Sequence, residues 1–467
     1  MGFVPLLQPH HPGALRTLRI SEETMRAIGL AGLGLLALAS PAVAQDVKGM
    51  DTVACPKAVA AIATCYQTKI ETGAYLLAAM PKSWNGNLVV FAHGGPSTEP
   101  PEADDNAGSL QRYNISVKLG YAWIATTYRK EGFGVAMAAS DVEDARKFFV
   151  DHFPKPKRTL MHGASYGGLV GTKLLETYVK KNADGSMTYD GAFFNSGAVG
   201  GSVANYEFRA DLRAVVQYYC MNLPKPDEAQ YPIWQGLPTD SKLSLKQVAD
   251  RIDECTGVAK KADMRNPEQQ KRLTNILNVM RIPESMLVRH MQAATFVFRD
   301  INERLGKGKS AFSNIGVTYK GSDNDQALNS GVARFEADPA AVAALRADGV
   351  ASGNILIPVV SIHSLNDPQA AVEHQAEYAA KVKAAGKSDL LVQNYTDENI
   401  HVGQSQPEMA SSINALQAWI DKGTKPTPQS IAAACESLKT AEDNRCRWHS
   451  DYQPKPLNTR FARTAAN

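Results

Sequence analysis

No stretch of this 467-residue chain holds the roughly 20 consecutive apolar residues that a membrane-spanning helix needs. A helical membrane anchor in the mature protein is therefore set aside. Charge of one sign is equally scarce. Fifty basic and 47 acidic residues leave a net charge of +3, with no basic run of the kind that tracks phosphates, so no nucleic acid is expected as a partner. Cysteines number only six, and none forms a pair with zinc-ligand spacing near a second such pair, which excludes a zinc knuckle. Asp323-Asn324-Asp325 opens like a calcium loop but lacks glycine at the sixth position and has Arg334 at the twelfth, so it reads as a solvated loop. There is no internal repeat of solenoid or propeller period. Nothing calls for a cofactor or a metal, and nothing fixes the oligomeric state.

What is present begins with a leader. Arg26 supplies a positive start, Ala27 to Leu38 an apolar stretch too short to span a bilayer, and Ala42-Val43-Ala44 a small-residue cleavage site before Gln45. The expectation is a signal peptide over 1–44, with Met25 at its natural start and a secreted or periplasmic product. An even number of cysteines fits an oxidising compartment. Their spacing offers three local disulfide candidates, Cys55 with Cys65, Cys220 with Cys255 and Cys435 with Cys446, among the fifteen connectivities that six cysteines allow.

Hydrophobic residues make up 44% of the chain, enough to bury a large core. From Leu88 onward, short β-branched runs alternate with amphipathic stretches, the pattern of an α/β protein with a mainly parallel sheet flanked by helices. Strands are expected at Leu88 to Ala92, Tyr121 to Thr126, Arg158 to His162, Gly191 to Asn195, Asn354 to Ile362 and Leu390 to Tyr395. Helices are expected at Ser140 to Phe153, with Ser140 and Asp141 as caps, and at Gly167 to Lys180, Gln369 to Ala385 and Glu408 to Asp421. The stretch 197–352 breaks this rhythm. It is helical in pattern, as at Leu245 to Asp253 and Pro267 to Met280, and too long for a structureless loop, so it reads as a folded cap or lid inserted late in the sheet. The core is thus expected in two parts, 45–196 and 353–422, with a tail over 423–467.

Gly163-Ala164-Ser165-Tyr166-Gly167 fits G-x-S-x-G and lies where that motif needs to be, between an expected strand and an expected helix. Ser165 is the candidate nucleophile. The charge of a tetrahedral intermediate needs hydrogen-bond donors, and His93-Gly94-Gly95-Pro96 follows an apolar strand, so the N–H of Gly95 or Gly94 can join that of Tyr166 in an oxyanion hole. Asp367 and His401 follow the next two strands, in the order acid then base. In open α/β sheets such loops emerge on one edge. His401 would take the Ser165 proton and Asp367 would orient the imidazole. Asp397 and Glu398 are alternative acids. His93, His162 and His363, at strand ends, read as lining the site structurally, while His290 falls in the insertion, His449 in the tail, and only His401 directly follows the last strand. The insertion supplies Tyr206, Phe208, Tyr218, Tyr219, Trp234, Phe296 and Phe298, read more readily as internal packing than as pocket walls.

These motifs resemble the α/β-hydrolase superfamily over roughly Gly73 to Lys422, with the insertion after Asn195. Pro81-Lys82-Ser83-Trp84-Asn85-Gly86 is similar to the run before the oxyanion strand in secreted bacterial esterases and tannase-like enzymes. Unlike the tannase and feruloyl-esterase group, the acid and histidine have no adjacent cysteines. His93 to Pro96 resembles the proline iminopeptidase turn, with Ser97 where a further glycine is usual. The resemblance implies a serine hydrolase acting on a small-molecule or oligomeric ester. A secreted serine peptidase is the alternative, and a catalytically idle binding protein a remoter one.

Overall fold

The computed structural model describes residues 47–459. The expected signal peptide over 1–44 and the tail residues 460–467 lie outside the described residues. Nine strands form one sheet: β1 (Asp51–Val53), β2 (Ala63–Lys69), β3 (Tyr75–Pro81), β4 (Asn87–Ala92), β5 (Ala122–Thr126), β6 (Arg158–Ala164), β7 (Gly191–Asn195), β8 (Val359–Ser364) and β9 (Leu391–Thr396). Their order is β1-β2-β3-β5-β4-β6-β7-β8-β9. From β5 to β9 neighbouring strands run parallel, while β1, β2 and β3 join antiparallel at one side.

The parallel strands are buried on both faces, as their continuous apolar runs require. Leu88, Val90 and Ala92 of β4 pack into one core and Val89 and Phe91 into the other, because successive side chains leave a strand on opposite faces. The parallel register pairs Ala92 with Gly163, so the turn after β4 and the turn after β6 leave the sheet side by side. This crossover pattern, with helices on both faces, is the α/β-hydrolase fold.

The structure corrects several boundaries. The antiparallel strands β1 to β3 precede Leu88, where the sequence pattern begins. Tyr75–Pro81 reads Tyr-Leu-Leu-Ala-Ala-Met-Pro, without a β-branched residue, and is held extended by its pairing with β2 and β5. Strand β8 starts at Val359 rather than Asn354, because Pro358 has no N–H for the ladder and contributes only its carbonyl, to Ala192. The helix expected from Ser140 spans Val135–His152. Its first N–H groups, on Val135 and Ala136, donate to the Asp348 carboxylate at 2.8 and 3.1 Å, a cap supplied from more than 200 residues away. Ser140 and Asp141 therefore cap nothing. The carboxylate of buried Asp141 accepts from the Arg129 backbone and Nε at 2.7 and 2.6 Å. The helix expected from Gln369 begins at His374, for a reason that lies in the site.

Among the described residues, the chain between β7 and β8 contains helices and no strand. The longest are Ser202–Cys220, Leu245–Thr256 and Pro267–Met280. Ser244 with Gln247 and Asn266 with Gln269 form capping boxes at the last two. The Cys220–Cys255 disulfide joins the ends of the first two. Cys55–Cys65 and Cys435–Cys446 are also bonded. Asp323 and Asp325 serve locally, accepting from Lys271 and Asn275 and from Gly321 and Ser322.

Candidate active site

Strand β6 ends at Ala164, and Ser165 turns the chain with φ 57° and ψ −121° into the helix Tyr166–Thr177. A non-glycine residue there is strained and persists only where its surroundings hold it. The flanking glycines make the turn possible by close approach. A Cβ on Gly167 would lie 1.9 Å from the Ala92 carbonyl oxygen, and one on Gly163 would lie 2.3 Å from that of Gly167.

Asp367 follows β8 and His401 follows β9. Their loops meet Ser165 at the carboxyl edge: His401 Nε2 lies 2.7 Å from Ser165 Oγ, and His401 Nδ1 lies 2.8 and 2.9 Å from the two Asp367 oxygens. The network assigns Nδ1–H as donor to the carboxylate, leaving Nε2 to accept the serine proton. Asp367 also accepts the N–H groups of Gln369 and Ala370 at 2.9 Å each. Those two residues turn in around the carboxylate, so the helix starts only at His374. Burial pushes the Asp367 carboxyl up, but the hydrogen bond and charge of His401, with His363 and the Ala370 N–H, outweigh it and hold the group below its ordinary range.

The alternative acids are engaged elsewhere. Glu398 pairs with Arg447 at 2.5 Å, and Asp397 is drawn to the tail by its N–H, which donates to the Arg447 carbonyl at 2.8 Å. Arg447 also bonds Glu408, and its Nη2 donates to the Gly403 carbonyl at 3.4 Å. Arg112 donates to the carbonyls of His401 and Val402 at 3.0 and 3.1 Å. Two arginines from distant parts of the chain thus grip the histidine loop. Sequence reasoning passed over both; the only signal for Arg447 was the neighbouring Cys446.

At the other side, Gly94 sits so close to Ser165 that a Cβ on it would be 3.3 Å from Ser165 Cβ. The His93 ring stacks on Tyr128 at 4.0 Å, its Nδ1 donates to the Gly94 carbonyl at 2.5 Å, and Tyr128 Oη donates to the His93 carbonyl at 2.9 Å. Fixing the Gly94 C=O toward His93 turns the Gly95 N–H, on the opposite side of the same trans peptide, away from it. Tyr166 is the first residue of its helix, where geometry leaves the N–H without a partner.

His162, His363, His290 and His449 are engaged within the fold. His162 bonds Asn195 at 2.9 Å, and burial pushes it down to about 4. His363 bonds the Ala370 carbonyl and Gln375, at 2.9 and 3.0 Å, and burial lowers it too. His290 reaches the Pro368 carbonyl at 3.3 Å, and the His449 N–H donates to Tyr395. Most of the insertion's aromatics are interior: Phe298 stacks on Phe312, and Tyr206 packs edge-on to Phe133, while Tyr218, Tyr219 and Trp234 are half-buried. A groove of about 460 Å³ runs from Pro96 and Thr98, just past the Gly94-Gly95 turn, along Leu245, Val288, Arg289 and Gln292. Among the described residues no group of three or more His, Cys, Asp or Glu converges as metal ligands.

No family model and no curated protein matches the chain. Solved structures similar to it include feruloyl esterase B from Aspergillus oryzae, 10% identical, with 82% of this chain and 89% of that chain covered at a TM-score of 0.38. Lipase A from Candida antarctica is 12% identical, with 86% and 93% covered at 0.45. The rice cell wall degrading esterase LipA from Xanthomonas oryzae is 13% identical, with 80% and 89% covered at 0.37.

Proposed function

We propose that the protein is an exported serine hydrolase that cleaves a carboxylic ester through an acyl-enzyme, with Ser165 as nucleophile, His401 as base and Asp367 as its orienting acid. The observation that carries this reading is the unbroken hydrogen-bonded chain from Ser165 Oγ through the imidazole to the buried carboxylate.

On this reading Ser165 Oγ attacks the ester carbonyl while His401 Nε2 takes the hydroxyl proton. Asp367 holds the tautomer and stabilises the imidazolium. The oxyanion is received by the N–H groups of Tyr166 and Gly95, with Gly94 adjacent; each such donor contributes about 3 kcal/mol in a well-studied protease. The imidazolium then protonates the leaving alcohol, and water repeats the sequence on the acyl-enzyme. No step requires a cofactor. Export is supported by the leader-like residues before Gln45 and by three disulfides, which persist in oxidising compartments. No helix among the described residues is long and apolar enough to cross a membrane.

The test is treatment of the purified protein with a fluorophosphonate, location of the label by peptide mass spectrometry, and assay of esters and peptide amides on the same preparation. Label on Ser165 with ester turnover is the expected result. Amide turnover with ester silence would select the peptidase, and folded protein that takes no label and turns over nothing would favour the idle binder.

A further inference from the structure

The helix Ser202–Cys220 carries two buried arginines one turn apart, Arg209 and Arg213, and their surroundings differ. Arg213 is satisfied throughout. Its Nε donates to the Ile233 carbonyl at 2.7 Å, Nη1 to Thr295 Oγ1 at 2.8 Å, and Nη2 to the Gly236 carbonyl at 2.6 Å, with Leu223 and Tyr231 beyond. Arg209 is not. Nη1 bonds Asn205 of its own helix, Nη2 reaches only the Gln369 carbonyl at 3.5 Å, and Nε is buried without a partner. Among the described residues Arg209 forms no ion pair. Phe208 and Tyr206 lie under its guanidinium, 4.5 and 5.3 Å from it, a contribution that falls short of a counter-ion. Burial, with Arg289 adding to it, pulls its pKa down to about 10, which still leaves it charged at neutral pH. A buried cation without a carboxylate or a full set of acceptors is costly, so its retention asks for a partner.

Its position says where that partner would come from. Gln369, which Arg209 touches, is held by Asp367, the acid of the candidate triad. Arg289, near enough to repel Arg209, lies on the neighbouring helix Leu287–Gln292. It is exposed, and among the described residues it has no ion pair or hydrogen bond. It lines the groove that opens at Pro96, the residue after the Gly94-Gly95 turn. His290, next to it, bonds Pro368, directly before Gln369, and stands edge-on to Phe208. One unpaired cation thus sits against the acid loop and the other along the groove from the oxyanion turn. An anion between them would relieve the repulsion and supply the missing acceptor.

We infer that Arg209 and Arg289 bind a carboxylate carried by the substrate, so that the ester this protein cleaves is an acidic one. The inference rests on the hydrolase reading for its substrate, but the site can be tested without turnover. Phenyl hydrogen glutarate is compared with methyl phenyl glutarate, both releasing phenol, and 3-carboxyphenyl acetate with its methyl ester. The first pair places the charge on the acyl side and the second on the alcohol side. The expected result is at least a tenfold higher kcat/KM for the acid in one pair, expressed in KM and reduced by raised salt. Arg289→Gln should bring the acid-to-neutral ratio down to about two or three, and Arg209→Lys, checked for an unchanged melting temperature, should also lower it. In parallel, glutaranilic acid, an amide analogue, and its methyl ester are titrated calorimetrically into Ser165→Ala. Tenfold tighter binding of the acid, lost in Arg289→Gln, upholds the anion site even if none of the four esters is cleaved, in which case the hydrolase reading alone has failed. Equal handling of acid and neutral compounds in both pairs and in the titration would overturn the inference, as would a preference that survives both substitutions.

Discussion

Ser165 is held at a positive φ by neighbours that leave no space for a Cβ on either flanking glycine. Two predictions belong at this scale. Ser165→Ala removes the hydroxyl alone, so on the proposed mechanism kcat should fall by about five to six powers of ten while thermal melting stays unchanged. Gly167→Ala forces a carbon into the Ala92 carbonyl, and the variant should lose about 3 kcal/mol or more of stability in a denaturant melt, or fail to fold. The meeting of Ser165, Asp367 and His401 at one edge was legible in the sequence because each follows a strand that its apolar residues reveal, and parallel strands deliver their carboxyl ends to one edge. Arg209, Arg112 and Arg447 were not legible. An arginine's role depends on which carbonyls and carboxylates reach it, and here those come from up to 290 residues away.

At the scale of elements, the tail matters most. After the Cys435–Cys446 bond, Thr396 and Trp448 form an antiparallel bridge, so the tail covers the outer edge of β9. In the same passage Arg447 ties Glu398, Gly403 and Glu408 around His401. On the proposed mechanism, replacing both Cys435 and Cys446 by serine, or Arg447 by methionine, should lower kcat about tenfold or more with a smaller change in KM, because His401 is displaced while the groove is untouched. Steady-state kinetics on an activated ester would decide this, and unchanged kcat in both variants would refute it. The cysteine spacing pointed to the bond, but not to what the bond braces. Helix boundaries failed where a cap came from afar, as with Asp348 at Val135, or where N–H groups were taken by the Asp367 carboxylate, as at Gln369 and Ala370. The antiparallel strands escaped notice because β3 is spelled in residues that favour helices in isolation.

Across the described residues, burial favours the neutral form of several histidines. Burial lowers His162 to about 4 and His374 to about 3, and lowers His93 and His363 as well. In the unfolded chain each takes a proton below about 6.5, so the unfolded state binds more protons between that value and the folded pKa. Stability is therefore full above pH 6.5 and declines as pH falls toward 4. The melting temperature should drop across that window, and His162→Gln should flatten the slope. Asp367 acts in a lower window: its carboxyl lies below the ordinary value, so its contribution persists until pH falls beneath about 3.8.

On the proposed mechanism, the grip of Arg447 on the histidine loop would also bear on timing. A chain synthesised from its N-terminus presents Ser165 first, then Asp367, then His401, and on the proposed mechanism all three precede the segment that steadies the base. A nascent or reduced chain would hold every reacting group and still be a poor catalyst until residues 435–447 have emerged and their disulfide has closed. Competence would then arrive last, where the disulfide can close, and with the proposed export this would spare the esters of the cell that makes the protein.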